Sequence, residues 1–365
     1  MGEKLELQRI AQRLRQRSRE LRERELLQEV EAAGPFIFTH LPGDRLRRAF
    51  ALKEALLHEF AGLELDDLYT VEERETEFGP VCMLHERLPL PLKLPSPEQA
   101  KELLAHELQL VYSIGPRIAS ELRAQGYRTI HDLERHERFR GPAMEVLKHL
   151  ECRDLGALWE RITRFLFKTH PTALALAGLA EGLLFLDLES LGLFGRPLVL
   201  VGLAWYDRDR QELIITQYVI RSIVEEQAVL AAAQRELDRA EVLVSYNGRA
   251  FDVNYLEERL SYYGLYREWP GAGAETEKER PHLDLLHHVR RWFSLPDCRL
   301  ESVERFILGI ERPLDLPSIL VPDFYNTYLE ERNIGPLVAI IEHNKQDLIS
   351  LALLLDRLLS RLDDR

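Results

Sequence analysis

The stretch "LLFLDLESLG", residues 183–192, decides the reading of this chain. Its length and its Leu and Phe content are those of a β-strand. On a strand, residues two apart point to the same face, so Asp187 and Glu189 project together from an otherwise apolar element. Two like charges at that spacing repel, and burying them unpaired is costly. Something positive is required between them. Apolar runs of strand type recur at 198–206 and 212–219, separated by short turns containing "LFGRP" and "DRDRQ", and predict an antiparallel meander of three strands. A helix is predicted over 223–240, a strand over "EVLVSYN" (241–247), a helix over 250–263, a short strand at "HLDLL" (282–286) and a final helix from Gly335-Pro336 to about 361.

Composition narrows the function classes. The 365 residues are 45% hydrophobic and 30% charged, as in a soluble globular protein, and are enough for two domains or one domain with an extension. No apolar stretch reaches the length of a membrane span, and "MGEKLELQRIAQRLRQ" is too charged for a secretory signal. Cys82, Cys152 and Cys298 lie far apart with no CxxC pair, which argues for a reducing compartment, here the cytoplasm, and against a zinc site. A net charge of −13 does not mark an obvious nucleic-acid binder. Local distribution matters more: "RIAQRLRQRSRELRER" (9–24) is rich in arginine, and reads either as a solvated amphipathic helix or as a phosphate-facing arm.

The chain divides into a polar, basic helix (1–34), a mixed segment with a Pro-rich connector (35–100), a helical region (101–170) and a C-terminal domain (178–365). In the mixed segment "PVCMLHE" (80–86) is a strand candidate, and "LPLPLKLPSP" (88–97) reads as stiff and extended. In the helical region, "SIGPRIASELRAQGYRTIHDL" (113–133) opens a helix at Gly115-Pro116, closes it at Gly126, and offers Thr129 as the cap of a second helix near Ile130. This resembles a helix-hairpin-helix motif. The resemblance implies that main-chain N–H groups near Gly115, assisted by Arg117, hold a nucleic-acid phosphate without reading sequence.

The order βββαβαβα over 178–365 is that of the α/β ribonuclease H-like fold, a mixed sheet flanked by helices, here behind a mainly helical N-terminal region. That topology brings further acids toward Asp187 and Glu189. In "SYNGRAFD" (245–252) the chain turns at Asn247-Gly248 and starts a helix carrying Asp252. In "EHNKQDLISL" (342–351), His343 and Asp347 stand four apart on one helical face. Each piece alone is unremarked in many proteins. Together, Asp-x-Glu on the first strand, Asp after "YNGRAF" and His-x-x-x-Asp on the last helix resemble the DEDD family of metal-dependent 3′–5′ exonucleases. "HLDLLHHVRRW" (282–292) and "DLPSILVPDFYNTYL" (315–329) resemble its YprB-like branch.

What the resemblance implies is a hydrolase that removes nucleotides from the 3′ end of a strand, with single-stranded DNA or DNA 3′ ends favoured over RNA. A 3′–5′ exoribonuclease and a catalytically inactive nucleic-acid-binding protein are the alternatives. It implies two Mg²⁺ or Mn²⁺ ions held by Asp187, Glu189, Asp252 and Asp347, an oxygen set that suits these hard cations. His343 would orient or deprotonate the attacking water. Asn247 and Gly248 would orient the strand-to-helix turn or touch substrate, and Asp284 and Asn344 would support the ligands from behind. One departure from the family stands: Tyr four residues before the last Asp, or His five before it, is usual, whereas here His343 has the Tyr spacing and Glu342 takes the other position.

Overall fold

The computed structural model describes residues 43–192, 195–266, 280–312 and 316–363. The basic helix expected over 1–34 lies outside them. Seven strands form one sheet: β1 (Val71–Thr76), β2 (Gly79–Pro89), β3 (Leu183–Ser190), β4 (Leu198–Asp207), β5 (Glu212–Val219), β6 (Val242–Ser245) and β7 (His282–Asp284), in the order β1-β2-β5-β4-β3-β6-β7. β3, β4 and β5 are the predicted antiparallel meander, while β6 runs parallel to β3 and β7 parallel to β6. This is the mixed sheet of the ribonuclease H-like fold.

The helices used below are α1 (Gly43–Glu59), α2 (Pro97–Ala105), α3 (Pro116–Ala124), α4 (Arg140–Glu151), α5 (Leu155–Arg161), α6 (Glu226–Leu237), α7 (Asp252–Tyr262), α8 (Leu285–Trp292), α9 (Val321–Glu331) and α10 (Gly335–Asp363). The period of two in β3 sets the layers. Leu184 and Leu186 face one side, where they join Leu230, Ala233 and Leu237 of α6 and Leu256 of α7. Phe185 faces the other, where it joins Leu348, Leu351 and Leu355 of α10. Asp187 and Glu189 continue the Phe185 face and so point toward α10. A bulge between Glu189 and Ser190 ends the regular pairing beside them.

Two expectations need correction. The segment 35–100 is not apart from the C-terminal sheet: β2 pairs antiparallel with β5, setting Cys82 opposite Val219 and Pro89 opposite Glu212. The reason is alternation, since Val81 and Met83 enter the core of one face while Cys82 and Leu84 enter a core on the other. Second, the helix expected near Ile130 is a five-residue 3₁₀ turn, His131–Arg135. Thr129 still caps it as expected: Thr129 Oγ1 accepts the Asp132 N–H at 3.4 Å, and the Asp132 carboxylate accepts the main-chain N–H of Thr129 (2.8 Å) and of Arg128 (2.8 Å), a reciprocal cap at the start of the turn. Gly126, at φ +98°, closes α3 as read from the sequence.

Candidate active site

Three elements converge at the open end of β3. The strand supplies Asp187 and Glu189, α7 supplies Asp252 at its first residue, and α10 supplies His343, Asn344 and Asp347. Glu189, His343 and Asp347 each bring a possible ligand atom within 4.8 Å of the other two. Nε2 of His343 stands 3.8 Å from Glu189 Oε1 and 3.5 Å from Asp347 Oδ2.

Asp187 is held from behind. Nδ2 of Asn344 donates to its Oδ2 at 2.7 Å and to its main-chain oxygen at 3.1 Å. The Asn344 amide is fixed in turn by Gln217 of β5, whose Nε2 donates to Asn344 Oδ1 at 2.9 Å. In the sheet register Asp187 lies opposite Gly202 and Gly202 opposite Gln217, so the amide crosses the strands over the glycine.

Asp252 depends on the turn after β6. Asn247 sits at φ +62°, a left-handed conformation that Asn tolerates better than most residues. Its main-chain N–H donates to Asp284 Oδ1 at 2.8 Å, and that of Arg249 to Asp284 Oδ2 at 3.2 Å. Asp284 also caps α8, accepting from the Leu286 N–H. Its carboxylate is therefore spent on main-chain donors that shape the turn. Gly248 is buried there: a Cβ would lie 2.2 Å from Ser245 Oγ and 3.3 Å from Asp252 Oδ2. The glycine lets the turn close onto Asp252.

The electrostatics match a cluster of crowded acids. Burial, then the charges of Asp347, Glu189 and Asp252, raise the Asp187 carboxyl well above its ordinary range, against the opposing Asn344 bond. Burial, then Asp347 and Asp252, do the same to Glu189. Asp252 is pushed up to about 7 by burial, with Asp284 and Asp347 adding to it and the N–H groups of Asp252 and Leu188 opposing. Asp347 is raised by burial and lowered by Arg312.

Arg312, absent from the sequence reading, is the positive group at this end of the cluster. It donates to Asp347 Oδ1 through Nη2, to Glu304 through Nε and Nη2, and from Nη1 to His343 Nδ1 at 3.0 Å. Burial disfavours its charge, but Asp347 and Glu304 outweigh burial and raise its pKa. Glu342 accepts from Tyr69 Oη (3.0 Å) and Lys345 Nζ (2.8 Å), so it is engaged away from the carboxylates while His343 faces them.

Gly115 and Arg117 do not join this cluster. They open α3 in the helical unit that precedes β3, and Arg117 pairs with Glu121 at 3.0 Å.

A family profile described as the RNase H superfamily covers residues 184–359. Similarity extends to the uncharacterized protein YprB of Bacillus subtilis (strain 168), 32% identical over 176 residues, which are 47% of this chain and 40% of that one. A DNA polymerase of Pyrococcus glycovorans is 34% identical over 87 residues, 20% of this chain and 11% of that protein. Among solved structures, the family B DNA polymerase of Pyrobaculum calidifontis matches at 16% identity and a TM-score of 0.37, over 47% of this chain and 24% of the other. The chain thus spans under half the length of these relatives. Sheet order and profile define residues 184–359 as a ribonuclease H-like domain. Within that class it is a YprB-like ribonuclease H-like domain.

Among the described residues, no helix is long and apolar enough to cross a membrane.

Proposed function

We propose that the C-terminal domain is a divalent-metal-dependent 3′–5′ exonuclease of the DEDD two-metal type, acting on single-stranded DNA or on DNA 3′ ends. The observation that carries this reading is the crowding of Asp187, Glu189, Asp252 and Asp347, whose carboxyls are all raised. A cluster that resists ionisation without a cation fits a site that binds one. The donors are carboxylate oxygens, which suit Mg²⁺ or Mn²⁺, and Asp187, Glu189, Asp252 and Asp347 would hold two ions. When bound, such ions supply a nucleophilic water at neutral pH and stabilise the departing 3′ oxygen.

The chain's own residues do the rest. Asn344 orients Asp187, the Asp284-held turn orients Asp252, and Arg312 orients Asp347 and His343. The stretch similar to the DNA polymerase of Pyrococcus glycovorans favours DNA over RNA as the nucleic-acid partner. The α3 hairpin, with Gly115 and Arg117, would hold the strand by its phosphates, as a helix-hairpin-helix does. The free state of Cys82, Cys152 and Cys298 supports work in the cytoplasm.

The test is cleavage of end-labelled single- and double-stranded DNA and RNA with Mg²⁺, Mn²⁺ or chelator. Stepwise shortening from the 3′ end of DNA, abolished by chelation, is expected. Full hydrolysis by highly purified protein in excess chelator would remove the metal mechanism, and preferential loss of RNA would favour the exoribonuclease.

A further inference from the structure

We propose that Arg312 fixes the His343 ring with its proton on Nε2, so that this histidine serves the site as a hydrogen-bond donor and neither deprotonates water nor ligates a metal. The role of the donor rests on the exonuclease reading above; the position of the proton does not.

The argument begins with what a guanidinium can do. It carries N–H donors and no lone pair, so any nitrogen that meets it end-on must accept. Nη1 of Arg312 lies 3.0 Å from Nδ1 of His343, and Nδ1 is therefore the bare nitrogen. A ring protonated on Nδ1, whether neutral or doubly protonated, would set N–H against N–H at that distance. The single proton of the neutral ring then sits on Nε2.

The other side of the ring agrees. Nε2 faces oxygens: Ser318 Oγ at 3.4 Å, Asp347 Oδ2 at 3.5 Å and Glu189 Oε1 at 3.8 Å. A donor suits those surroundings, while a lone pair there would meet carboxylate charge.

Arg312 is not free to turn away. Its side chain is 8% exposed, and its Nε and Nη2 are both taken by Glu304, which also accepts from Ser350 Oγ. The same guanidinium reaches Asp347. One clamped residue thus sets both members of the His-x-x-x-Asp pair.

With Nδ1 engaged and Nε2 protonated, the ring has no lone pair to offer. The space bounded by Glu189 and Asp347 receives an N–H, suited to an electron-rich oxygen such as that of water or phosphate. Metal ligation falls to the carboxylates alone, although His343 lies within ligand range of the cluster.

The test is a long-range ¹H–¹⁵N correlation spectrum of histidine-labelled protein, metal-free and with Mg²⁺, the signal assigned by its loss in His343→Gln. A bare Nδ1 and a proton-bearing Nε2 are expected in both. A proton on Nδ1 overturns the proposal. Arg312→Met combined with Glu304→Gln, which leaves Glu304 no unpaired charge, should release Nδ1 and let it carry a proton; a spectrum in which Nδ1 stays bare overturns the role of Arg312. In the nuclease assay, His343→Ala should lose about 10²–10³-fold in kcat, the scale of a removed donor. His343→Gln, whose amide N–H can replace Nε2–H, should recover the larger part. A glutamine no better than alanine overturns the donor role. The spectrum reports the proton whether or not nucleic acid is cut, so this inference and the exonuclease reading fail separately.

Discussion

Gly202 on β4 and Asn344 on α10 fit together only because residue 202 has no side chain: a Cβ there would stand 2.1 Å from Asn344 Oδ1 and 2.6 Å from its Nδ2. Backbone strain is not the cause, since Gly202 lies within a regular strand. The glycine is a space through which the amide reaches Asp187. Gly202→Ala should therefore push Asn344 off Asp187 and also overpack a buried layer. The expected stability loss is about 1–3 kcal/mol. Loss of an outer partner of a ligand should lower metal affinity or activity by roughly 10–100-fold. Thermal melts and a metal titration check both, and wild-type metal affinity in the variant would show that Asn344 does not govern Asp187.

The four acids differ in what their removal does to the metal-free fold. Asp187 has Asn344 as its hydrogen-bond partner and acids as its charged neighbours, so Asp187→Asn relieves repulsion while keeping an acceptor for the amide. Its metal-free melting temperature should rise. Asp347 is bonded to the buried Arg312, so Asp347→Ala removes a charge-assisted bond and should cost about 1–3 kcal/mol. Turnover should fall in both by more than the roughly 10–100-fold typical of outer-shell changes. Activity near wild type in either variant would show that the acid is not part of the machinery.

Stability of the metal-free protein should fall as pH rises above about 6.5. Asp187, Glu189 and Asp252 have raised folded-state pKa values, with Asp252 near 7, so the folded chain keeps protons that the unfolded chain has lost. More protons bound to the folded state means stability declines with rising pH. His282 and His288, each held down to about 3 chiefly by burial, act in the opposite sense. Their effect is complete above their unfolded value of 6.5, which sets the lower edge of the window. Melting temperatures from about pH 6.5 to about pH 8 should therefore decrease without metal. Mg²⁺ should flatten the slope, because binding a cation expels the same protons. A metal-free melting temperature that rises across this window would contradict the cluster as described.

The sequence made the meander and the acids legible because both rest on local pattern. The apolar runs at 198–206 and 212–219 became β4 and β5 with ends shifted by at most one residue. Asp187 and Glu189 stood out because charge interrupts an apolar strand. Arg312 gave no such signal. It lies in "GIERPLD", a sequence without apolar periodicity, and its partners Glu304, His343 and Asp347 are 8, 31 and 35 residues away. Gln217 carries a sequence signal of its own: it is a polar side chain among the apolar residues of β5, buried there, and such a position requires a partner. The pairing of β2 with β5 was hidden because more than a hundred residues separate the two strands. The cap at Thr129 was legible in the sequence, but the length of the element it starts, a five-residue 3₁₀ turn, was not.

The last prediction concerns the hairpin at the start of α3. Gly115 has φ −87° and ψ 179°, an extended conformation open to any residue, and a Cβ there would meet nothing within 4 Å. The fold does not require this glycine. Its neighbour Ser113, at φ +67°, already supplies the left-handed turn that a glycine usually makes. Gly115→Val should therefore cost only the N-cap preference for glycine over valine, roughly 0.5–1 kcal/mol, and leave the protein folded. A valine would, however, cover the main-chain N–H groups at the helix start, where a phosphate would approach. If the hairpin holds substrate, the variant raises the apparent KM on long DNA while kcat stays level. A short oligonucleotide that spans only the carboxylate cluster should be cut as by wild type. Equal losses on long and short substrates, with a normal melt, would place Gly115 in the chemistry instead. Unchanged kinetics on both would leave α3 as packing for the core around Leu122 and Ile130 and would remove the helix-hairpin-helix reading.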